Sequence, residues 1–237
     1  GIDAASEDIT HLGNLMEESV AKKGRSDVAS AVRHVYPDGM LDIIPADITL
    51  TNADGWLMNQ MQRETVFDRL LASNTDFFGQ YDVIVVDSAP GTSLLSMNVM
   101  VASRTQLAVC WLDRENLKAL PILLGNVEEI NAAYPQHASD VEIVANGYNT
   151  QFKHSKETLD VLVAKYPRQL NENVIKQFSG FHRQQALPGG ECRGAVVEQD
   201  QSSPGAKEML DLAKSLLGRY KITLAGFDES IPSTRGN

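Results

Sequence analysis

Apolar positions along the chain follow two alternating patterns. Continuous apolar runs, which are typical of strands buried on both faces of a sheet, predict strands at 41–45, 83–86, 107–112, 141–145 and 174–178. Between them, apolar residues three and four positions apart predict helices at 59–72, 94–102, 116–133, 155–166 and 204–217. Because helices separate strands of this kind, the pattern favours an α/β fold, with a mostly parallel, doubly wound sheet and helices on both faces.

Several predicted helices carry signals at their ends. Ser155 is expected to cap a helix that Pro167 stops. The Ser203-Pro204 pair is expected to open the last helix. Pro121 is expected near the first turn of its helix, where the backbone N–H that proline lacks would form no hydrogen bond within the helix. These signals support the helices that the spacing predicts.

Length and composition fit one globular domain, which we expect over residues 1–221, with a tail at 222–237 that matches no pattern. The chain has 237 residues and 43% of them are hydrophobic, so it can bury a sizeable core.

Its two cysteines make no disulfide framework, which favours the cytosol. We find no signal peptide and no apolar stretch of the ~20 residues that cross a bilayer.

Charge is distributed unevenly along the chain. The net charge is −10, which argues against nucleic acid as a partner. However, residues 1–150 hold 9 basic and 21 acidic side chains, whereas residues 151–237 hold 12 basic and 10 acidic ones. The C-terminal part therefore has a net charge of +2, which is compatible with a local basic face. The alternative is an ordinary surface of mixed charge.

The stretch "VIVVDSAPGTS", Val83–Ser93, places an acid directly after an apolar run. At the carboxyl end of a strand in an α/β sheet, where such folds bind ligands, Asp87 would hold Mg²⁺ beside the phosphates of a nucleotide. Gly91 gives the following turn the backbone freedom of a nucleotide-sensing loop. The alternative is that Asp87 caps the next helix.

Four segments, one of which is a longer version of the Asp87 segment, extend this pattern. They are "LDIIPADITLTNAD", the Asp87 segment continued to "LLSMNVMVAS", "VEIVANGYNT" and "SSPGAKEMLDLAKSLL". In this order they resemble the ParA/MinD family of partition and positioning ATPases, deviant Walker-box members of the P-loop NTPase superfamily. The resemblance covers roughly residues 27–220, includes an Asn in the middle of a helix (Asn98) and is strongest in the Walker B block around Asp87.

The resemblance implies a nucleotide-dependent homodimer that binds ATP and Mg²⁺. Asp87 would orient Mg²⁺, the loop containing Pro90, Gly91 and Thr92 would sense the γ-phosphate, and Asn146 would contact the adenine. A partner or adaptor protein would stimulate a weak ATPase, and the protein would be cytoplasmic and associated with the nucleoid.

The chain departs from the family at the phosphate loop. No G-x-x-x-x-G-K-[ST] or deviant form occurs, and "AKKGRS" lacks a preceding strand, so we interpret it as a solvated turn. By the resemblance, Asp3 in "GIDAASEDI" is the first acid of an Asp-x-Asp pair, and Ala5 stands in place of the second acid, which usually serves hydrolysis. Alternatively, Glu7 or Asp8 supplies that carboxylate. We expect a strand–loop–helix unit to lie upstream in a longer polypeptide; the alternative is a degenerate relative that has lost its phosphate loop.

The resemblance also implies non-specific DNA binding through Arg183, in "SGFHRQQ", with Lys207 and Lys214 contacting phosphates. The C-terminal tail lacks the basic and strongly apolar faces of a membrane helix, so DNA is favoured over membrane. Asp113 and Arg114 begin the loop after the strand at 107–112, and either form a surface salt bridge or face a nucleotide or partner.

Two other classes of function remain open. One is a catalytically inactive ParA/MinD-like regulatory or scaffolding subunit, which Ala5 and the absent phosphate loop favour. The other is an unrelated doubly wound enzyme. The five histidines are scattered and make no metal motif.

Overall fold

The computed structural model describes residues 9–21, 26–36, 41–89, 91–182 and 195–224. Strands occur at β1 (Arg33–His34), β2 (Asp42–Ile43), β3 (Thr105–Trp111), β4 (Asp140–Tyr148) and β5 (Ile175–Lys176). The α-helices are α1 (Leu12–Ala21), α2 (Ala53–Leu57), α3 (Val66–Ser73), α4 (Thr75–Phe78), α5 (Leu94–Ala102), α6 (Arg114–Ala133), α7 (Lys153–Lys165), α8 (Ser179–His182), α9 (Val196–Gln199) and α10 (Pro204–Tyr220). Short 3₁₀ helices lie at Val28–Ala31, Ile48–Asn52, Arg63–Thr65 and Pro135–His137.

Among the described residues, the main sheet consists of three parallel strands in the order β3-β4-β5. β3 and β4 pair from Thr105 opposite Asp140 to Trp111 opposite Asn146. In the chain, α6 lies between β3 and β4, and α7 lies between β4 and β5, because parallel neighbours need a long crossover connection. The predicted α/β fold with a parallel sheet is confirmed.

The faces of the two long strands are covered to different extents. β4 is buried at four successive positions in its middle. β3 buries Ala108 and Cys110, but Leu107, Val109 and Trp111 are 47%, 60% and 41% exposed. Because successive side chains point to opposite faces of a sheet, one face of β3 is packed and the other is open. None of the described strands pairs with the second edge of β3.

The strand predicted at 83–86 is wrong for the described structure, in which this segment makes no strand pairing. Val83, Ile84 and Val85 are exposed, and Val86 packs against the N-terminal core. A strand is held by hydrogen bonds to a neighbouring strand. This segment and the free edge of β3 both lack such a neighbour, so an apolar run that is suited to a strand remains irregular.

Two N-terminal elements are shorter than predicted. The strand expected at 41–45 is β2, which pairs antiparallel with β1 and so lies outside the parallel sheet. The helix expected at 59–72 starts only at Val66, because Gln62 takes a left-handed conformation with φ of 52°. Met61, placed on the buried face by its spacing, is exposed.

Of the four signals predicted at helix ends, two are right and two are wrong. α7 ends just before Pro167, as expected. Ser203 caps α10, since its Oγ accepts a hydrogen bond from Ala206 N–H at 3.2 Å. α6 begins earlier than expected, so Pro121 lies inside the helix, beyond its first turn. Ser155 lies within α7 and does not cap it; its buried Oγ accepts a hydrogen bond from Asn149 N–H at 3.1 Å.

Two hydrophobic cores hold the elements together. The N-terminal core joins α1, α2 and α3, and its buried members include Leu15, Met16, Leu57, Val66 and Leu70. The second core joins the sheet to α6 and α7, and its buried members include Ala108, Leu120, Ile143, Ala145 and Leu162. α5 connects the two, because it contacts α2 and α3 on one side and α6 on the other.

Asn98 ties α5 to α3 from a fully buried position. Its Oδ1 accepts a hydrogen bond from Phe67 N–H at 3.0 Å. Its Nδ2 donates to the carbonyl oxygens of Arg63 and Leu94, both at 2.8 Å. Phe67 N–H lies in the first turn of α3, where backbone donors have no partner within the helix. Asn98 therefore acts as the cap of α3 and fixes the helix that follows the Asp87 loop.

Glu142 fixes α10 at the opposite end of the sheet. Its side chain is fully buried near the start of β4. It accepts hydrogen bonds from Asn171 Nδ2 at 2.6 Å and Tyr220 OH at 3.0 Å, and forms an ion pair with Arg219 at 2.8 Å. Arg219 and Tyr220 end α10, so this network anchors the C-terminal end of that helix to the amino end of β4.

Replacement of Asn98 tests whether the α5–α3 connection holds the N-terminal core. Asn98→Ala leaves the Phe67 N–H and the Arg63 carbonyl without this partner, and each unsatisfied buried group costs about 1–3 kcal/mol. We expect the free energy of unfolding, measured by urea denaturation, to fall by about 2–4 kcal/mol. The control is Asn59→Ala, at an exposed residue whose side chain donates to Gly55 alone; it should change stability by less than about 0.5 kcal/mol. Equal losses in the two variants would contradict this role.

Candidate functional site

The carboxyl edge of the parallel sheet brings two of the predicted segments together. Trp111, at the end of β3, lies opposite Asn146 of β4. Leu112 N–H then donates to the Asn146 carbonyl oxygen at 3.0 Å. The end of β3 and the predicted adenine-binding Asn146 are therefore held side by side at the edge where α/β sheets bind ligands.

The Asn146 side chain is half-buried and fixed in orientation. Its Oδ1 accepts a hydrogen bond from Gly147 N–H at 2.9 Å. Its Nδ2 donates no hydrogen bond within the part of the chain that the structure describes. An amide that is anchored through its oxygen presents its nitrogen as a donor, and a ring nitrogen of a nucleobase is an acceptor that this donor suits.

Gly147 allows the Trp111 indole to pack directly against the end of β4. Gly147 has φ of +72°, which favours glycine. A Cβ at this position would lie 2.5 Å from Cε2 of Trp111, so any larger residue would displace the ring. Trp111 thus forms a partly exposed aromatic surface beside Asn146. The sequence places Trp111 at the strand end but gives no sign of this contact.

Asp113 caps α6, which is neither of the two roles predicted for it. Its Oδ1 accepts a hydrogen bond from Asn116 N–H at 2.8 Å. This backbone hydrogen bond is the main cause that lowers the pKa of Asp113, and it outweighs partial desolvation. The carboxylate is therefore ionised at neutral pH and bound to its own helix.

Asp87 lies in the irregular segment before α5 and is exposed. It does not cap that helix, because Ser93 does so by accepting a hydrogen bond from Ser96 N–H at 3.1 Å. Gly91 has φ of +134°, a conformation that requires glycine, and Thr92 is exposed. The backbone at Gly91 therefore needs glycine, but the structure does not place Asp87 at the end of a paired strand.

The other predicted site residues are spread more widely. Asp3, Pro90 and Arg183 lie outside the described residues. Lys207 and Lys214 are exposed on α10. Within the described ranges, no three His, Cys, Asp or Glu side chains cluster to hold a metal ion. Mg²⁺ commonly uses one or two protein carboxylates together with water and substrate phosphates, so one exposed acid such as Asp87 fits such an ion.

None of the helices described is long and apolar enough to cross a membrane.

Comparison with known proteins identifies the family. The AAA domain family matches residues 4–141. The cell division protein PomZ of Myxococcus xanthus is 30% identical over 185 residues, which are 78% of this chain and 56% of PomZ. The chromosome-partitioning ATPase Soj of Treponema pallidum is 23% identical over 197 residues, which are 83% of this chain and 74% of Soj.

Solved structures share the fold at low sequence identity. The ATP complex of McdA from Cyanothece superposes with a TM-score of 0.72 at 15% identity, and the match covers 94% of this chain and 80% of McdA. Cobyrinic acid a,c-diamide synthase of Mycobacterium smegmatis, bound to ADP and magnesium, gives a TM-score of 0.68 at 17% identity, with 94% and 78% covered.

The chain thus spans a little over half the length of PomZ. The match to the AAA domain family over more than half of the chain, together with a cell division protein and a chromosome-partitioning ATPase among its relatives, confirms the resemblance found in the sequence. The chain belongs to the ParA/MinD family of P-loop NTPases.

Proposed function

We propose that the protein is an ATP-dependent switch that partitions or positions DNA or another cargo. The observation that carries this proposal is the sheet edge where Asn146 stands beside Trp111 with a free amide donor. Asp87 and the Gly91 turn, which precede α5, add an exposed acid and a loop able to change conformation. Together these residues suit a ligand with a purine ring and a cation, and the Asp87 carboxylate would hold the cation.

Each site residue has a proposed role. Asp87 holds Mg²⁺, which neutralises phosphate charge when the nucleotide is bound. Pro90, Gly91 and Thr92 respond to the γ-phosphate, and Asn146 donates to the adenine edge through Nδ2. Asp3 serves hydrolysis, so that the complete protein is a weak ATPase.

We assign phosphate binding to polypeptide outside this sequence. The sequence contains no Gly- and Lys-rich phosphate loop. The open edge of β3 and the unpaired segment at 83–86 are both suited to pair with one additional parallel strand between them. The helix of such a unit would cover Leu107, Val109 and Trp111, whose exposure on one face of β3 is unusual in a parallel sheet. A strand–loop–helix unit in this place supplies the missing phosphate contacts.

Nucleotide binding then controls assembly. Two protomers enclose ATP and Mg²⁺ in a homodimer, which a partner or adaptor protein returns to the nucleotide-free state by stimulating hydrolysis. The protein acts in the cytoplasm, at the nucleoid. The second candidate is a catalytically inactive regulatory or scaffolding subunit with the same fold; the specific observation in its favour is Ala5, at the position of the second hydrolytic acid.

Removal of the Asp87 carboxylate tests the Mg²⁺ role. In the protein that includes the phosphate-binding unit, Asp87→Ala should weaken Mg²⁺-dependent ATP binding by at least about tenfold, since charge-assisted contacts contribute about 1.5–3 kcal/mol. Because Asp87 is exposed, the fold should be retained, as circular dichroism would show. The matched control is Asp76→Ala, an exposed acid on α4. ATP binding that Asp87→Ala leaves unchanged would remove Asp87 from the site.

DNA binding is the finer part of the proposal. Lys207 and Lys214 are both exposed on α10 and stand seven residues apart, which places them on one face two turns from each other. Arg183 is proposed to extend this basic face. One protomer offers few phosphate contacts and its N-terminal part is acidic, so we expect binding to require the nucleotide-bound dimer, which doubles the basic face.

Charge reversal on α10 tests the DNA surface. Lys207→Glu with Lys214→Glu should abolish nucleotide-dependent DNA binding and leave ATP affinity unchanged. In the unmodified protein, binding should be independent of DNA sequence, and log K should fall by about 0.9 per log unit of salt for each phosphate neutralised. The control, Lys153→Glu with Lys156→Glu on α7, makes the same charge change at exposed residues. DNA binding without nucleotide, or equal losses in both variants, would exclude this surface.

A further inference from the structure

Asp54 connects α2 to the first turn of α5, the helix that follows the Asp87 loop. Its Oδ1 accepts a hydrogen bond from Leu95 N–H at 3.1 Å. The first N–H groups of a helix have no partner within that helix, and the helix dipole favours a carboxylate beside them. Asp54 therefore stabilises the start of α5 from an element that lies 41 residues earlier in the chain.

α2 is a firm support for this carboxylate. Ala53 and Leu57, which flank Asp54 in α2, are fully buried in the N-terminal core. Leu95 packs against the same core, and Asp54 itself is half-buried. The hydrogen bond from Leu95 N–H to Asp54 therefore joins two elements that the core already holds, and it fixes the position of the α5 N-terminus relative to α2.

Ser96 closes the Asp87 loop onto the same turn of α5. It is 6% exposed. Its N–H donates to Ser93 Oγ at 3.1 Å, and its hydroxyl donates to the Ala89 carbonyl oxygen at 3.4 Å. Because a serine hydroxyl has one hydrogen, the 3.1 Å contact between the two Oγ atoms uses the hydrogen of Ser93. Ala89 and Ser93 are thus both tied to the end of α5 that Asp54 holds.

These contacts concentrate any change of loop conformation in the short span between Ala89 and Ser93. That span contains Gly91, whose φ of +134° requires glycine, and the exposed Thr92. Neither residue touches Asp54 through a recorded hydrogen bond, so Asp54 acts on them only through the position of the α5 N-terminus.

We propose that Asp54 is a positioning residue for the response of the Asp87 loop to the γ-phosphate. Its hydrogen bond from Leu95 holds the helix end to which Gly91 and Thr92 are attached, so that little conformational entropy is lost when the loop orders around the γ-phosphate. Without this hydrogen bond the loop samples more conformations, and a nucleotide that orders it loses affinity. ADP has no γ-phosphate and is unaffected. This inference rests on the proposed function of the loop.

Two variants separate the hydrogen bond of Asp54 from its charge. Asp54→Asn retains an Oδ1 acceptor for Leu95 N–H but removes the charge, whereas Asp54→Ala removes both. If positioning through the hydrogen bond is the role of Asp54, the asparagine variant should behave as the unmodified protein does. Asp160→Ala, which removes an exposed acid on α7, is the control.

The affinities for AMPPNP and ADP, measured by isothermal titration calorimetry with Mg²⁺ on the polypeptide that includes the phosphate-binding unit, test the γ-phosphate response. Asp54→Ala should reduce the preference for AMPPNP over ADP about two- to tenfold, the range of one hydrogen bond, with ADP affinity within about twofold of the unmodified protein. Asp54→Asn and Asp160→Ala should retain the preference. Equal losses of AMPPNP and ADP affinity would show a merely structural role and overturn the proposal.

Amide hydrogen exchange on the 237-residue chain without nucleotide tests the positioning separately. Asp54→Ala should speed exchange at residues 91–96 about two- to tenfold, and Asp54→Asn should not. Unchanged protection of α3, which contains the buried Leu70, would report an intact N-terminal core. Unchanged exchange at 91–96 in Asp54→Ala would refute the positioning role whatever the nucleotide does. If the unmodified polypeptide itself shows no preference for AMPPNP, the proposed function of the loop fails; if it shows one that Asp54→Ala keeps, this inference alone fails.

Discussion

The hydrogen bonding of β3 is the constraint on which the rest of the structure depends. β3 pairs with β4 over its whole length, yet its other edge has no partner among the described strands. A parallel sheet is stable when its strands have neighbours and both faces are covered. Leu107, Val109 and Trp111 are exposed on one face of β3, and the backbone at 83–86 is irregular and makes no strand pairing.

The same constraint explains why the candidate site is only partly assembled. Asn146 and Trp111 are fixed by the complete β3–β4 pairing and by the close approach of Gly147. Asp87 depends on the segment that lacks a neighbour, so it stays exposed with no strand behind it. α5 is nevertheless held in place by Asn98, which keeps the Asp87 loop attached to a rigid helix. The part of the proposed site at the ends of β3 and β4 is therefore fixed by strand pairing, whereas Asp87 has no paired strand behind it in the described structure.

Much of the fold was predictable from sequence because its signals are local. The apolar spacing of 204–217 and its Ser203-Pro204 start specify α10 without reference to distant residues. The strand at 83–86 was predicted from an equally clear apolar run, but pairing needs a partner that no local signal supplies. The roles of single polar residues are equally hard to predict from sequence. Ser155 was expected to cap a helix but contacts a loop, whereas Asp113 caps a helix, and only the backbone distinguishes the two roles.

The most direct measurement of the central claim is the affinity of this 237-residue chain for ATP in the presence of Mg²⁺, determined by isothermal titration calorimetry. If phosphate binding comes from a strand–loop–helix unit outside this sequence, the chain alone should show no saturable binding up to about millimolar ATP, a free energy no better than about −4 kcal/mol. The same titration on a polypeptide that includes the unit should show tight binding. Micromolar binding by the 237-residue chain alone would mean that its own residues hold the phosphates, and would contradict the account.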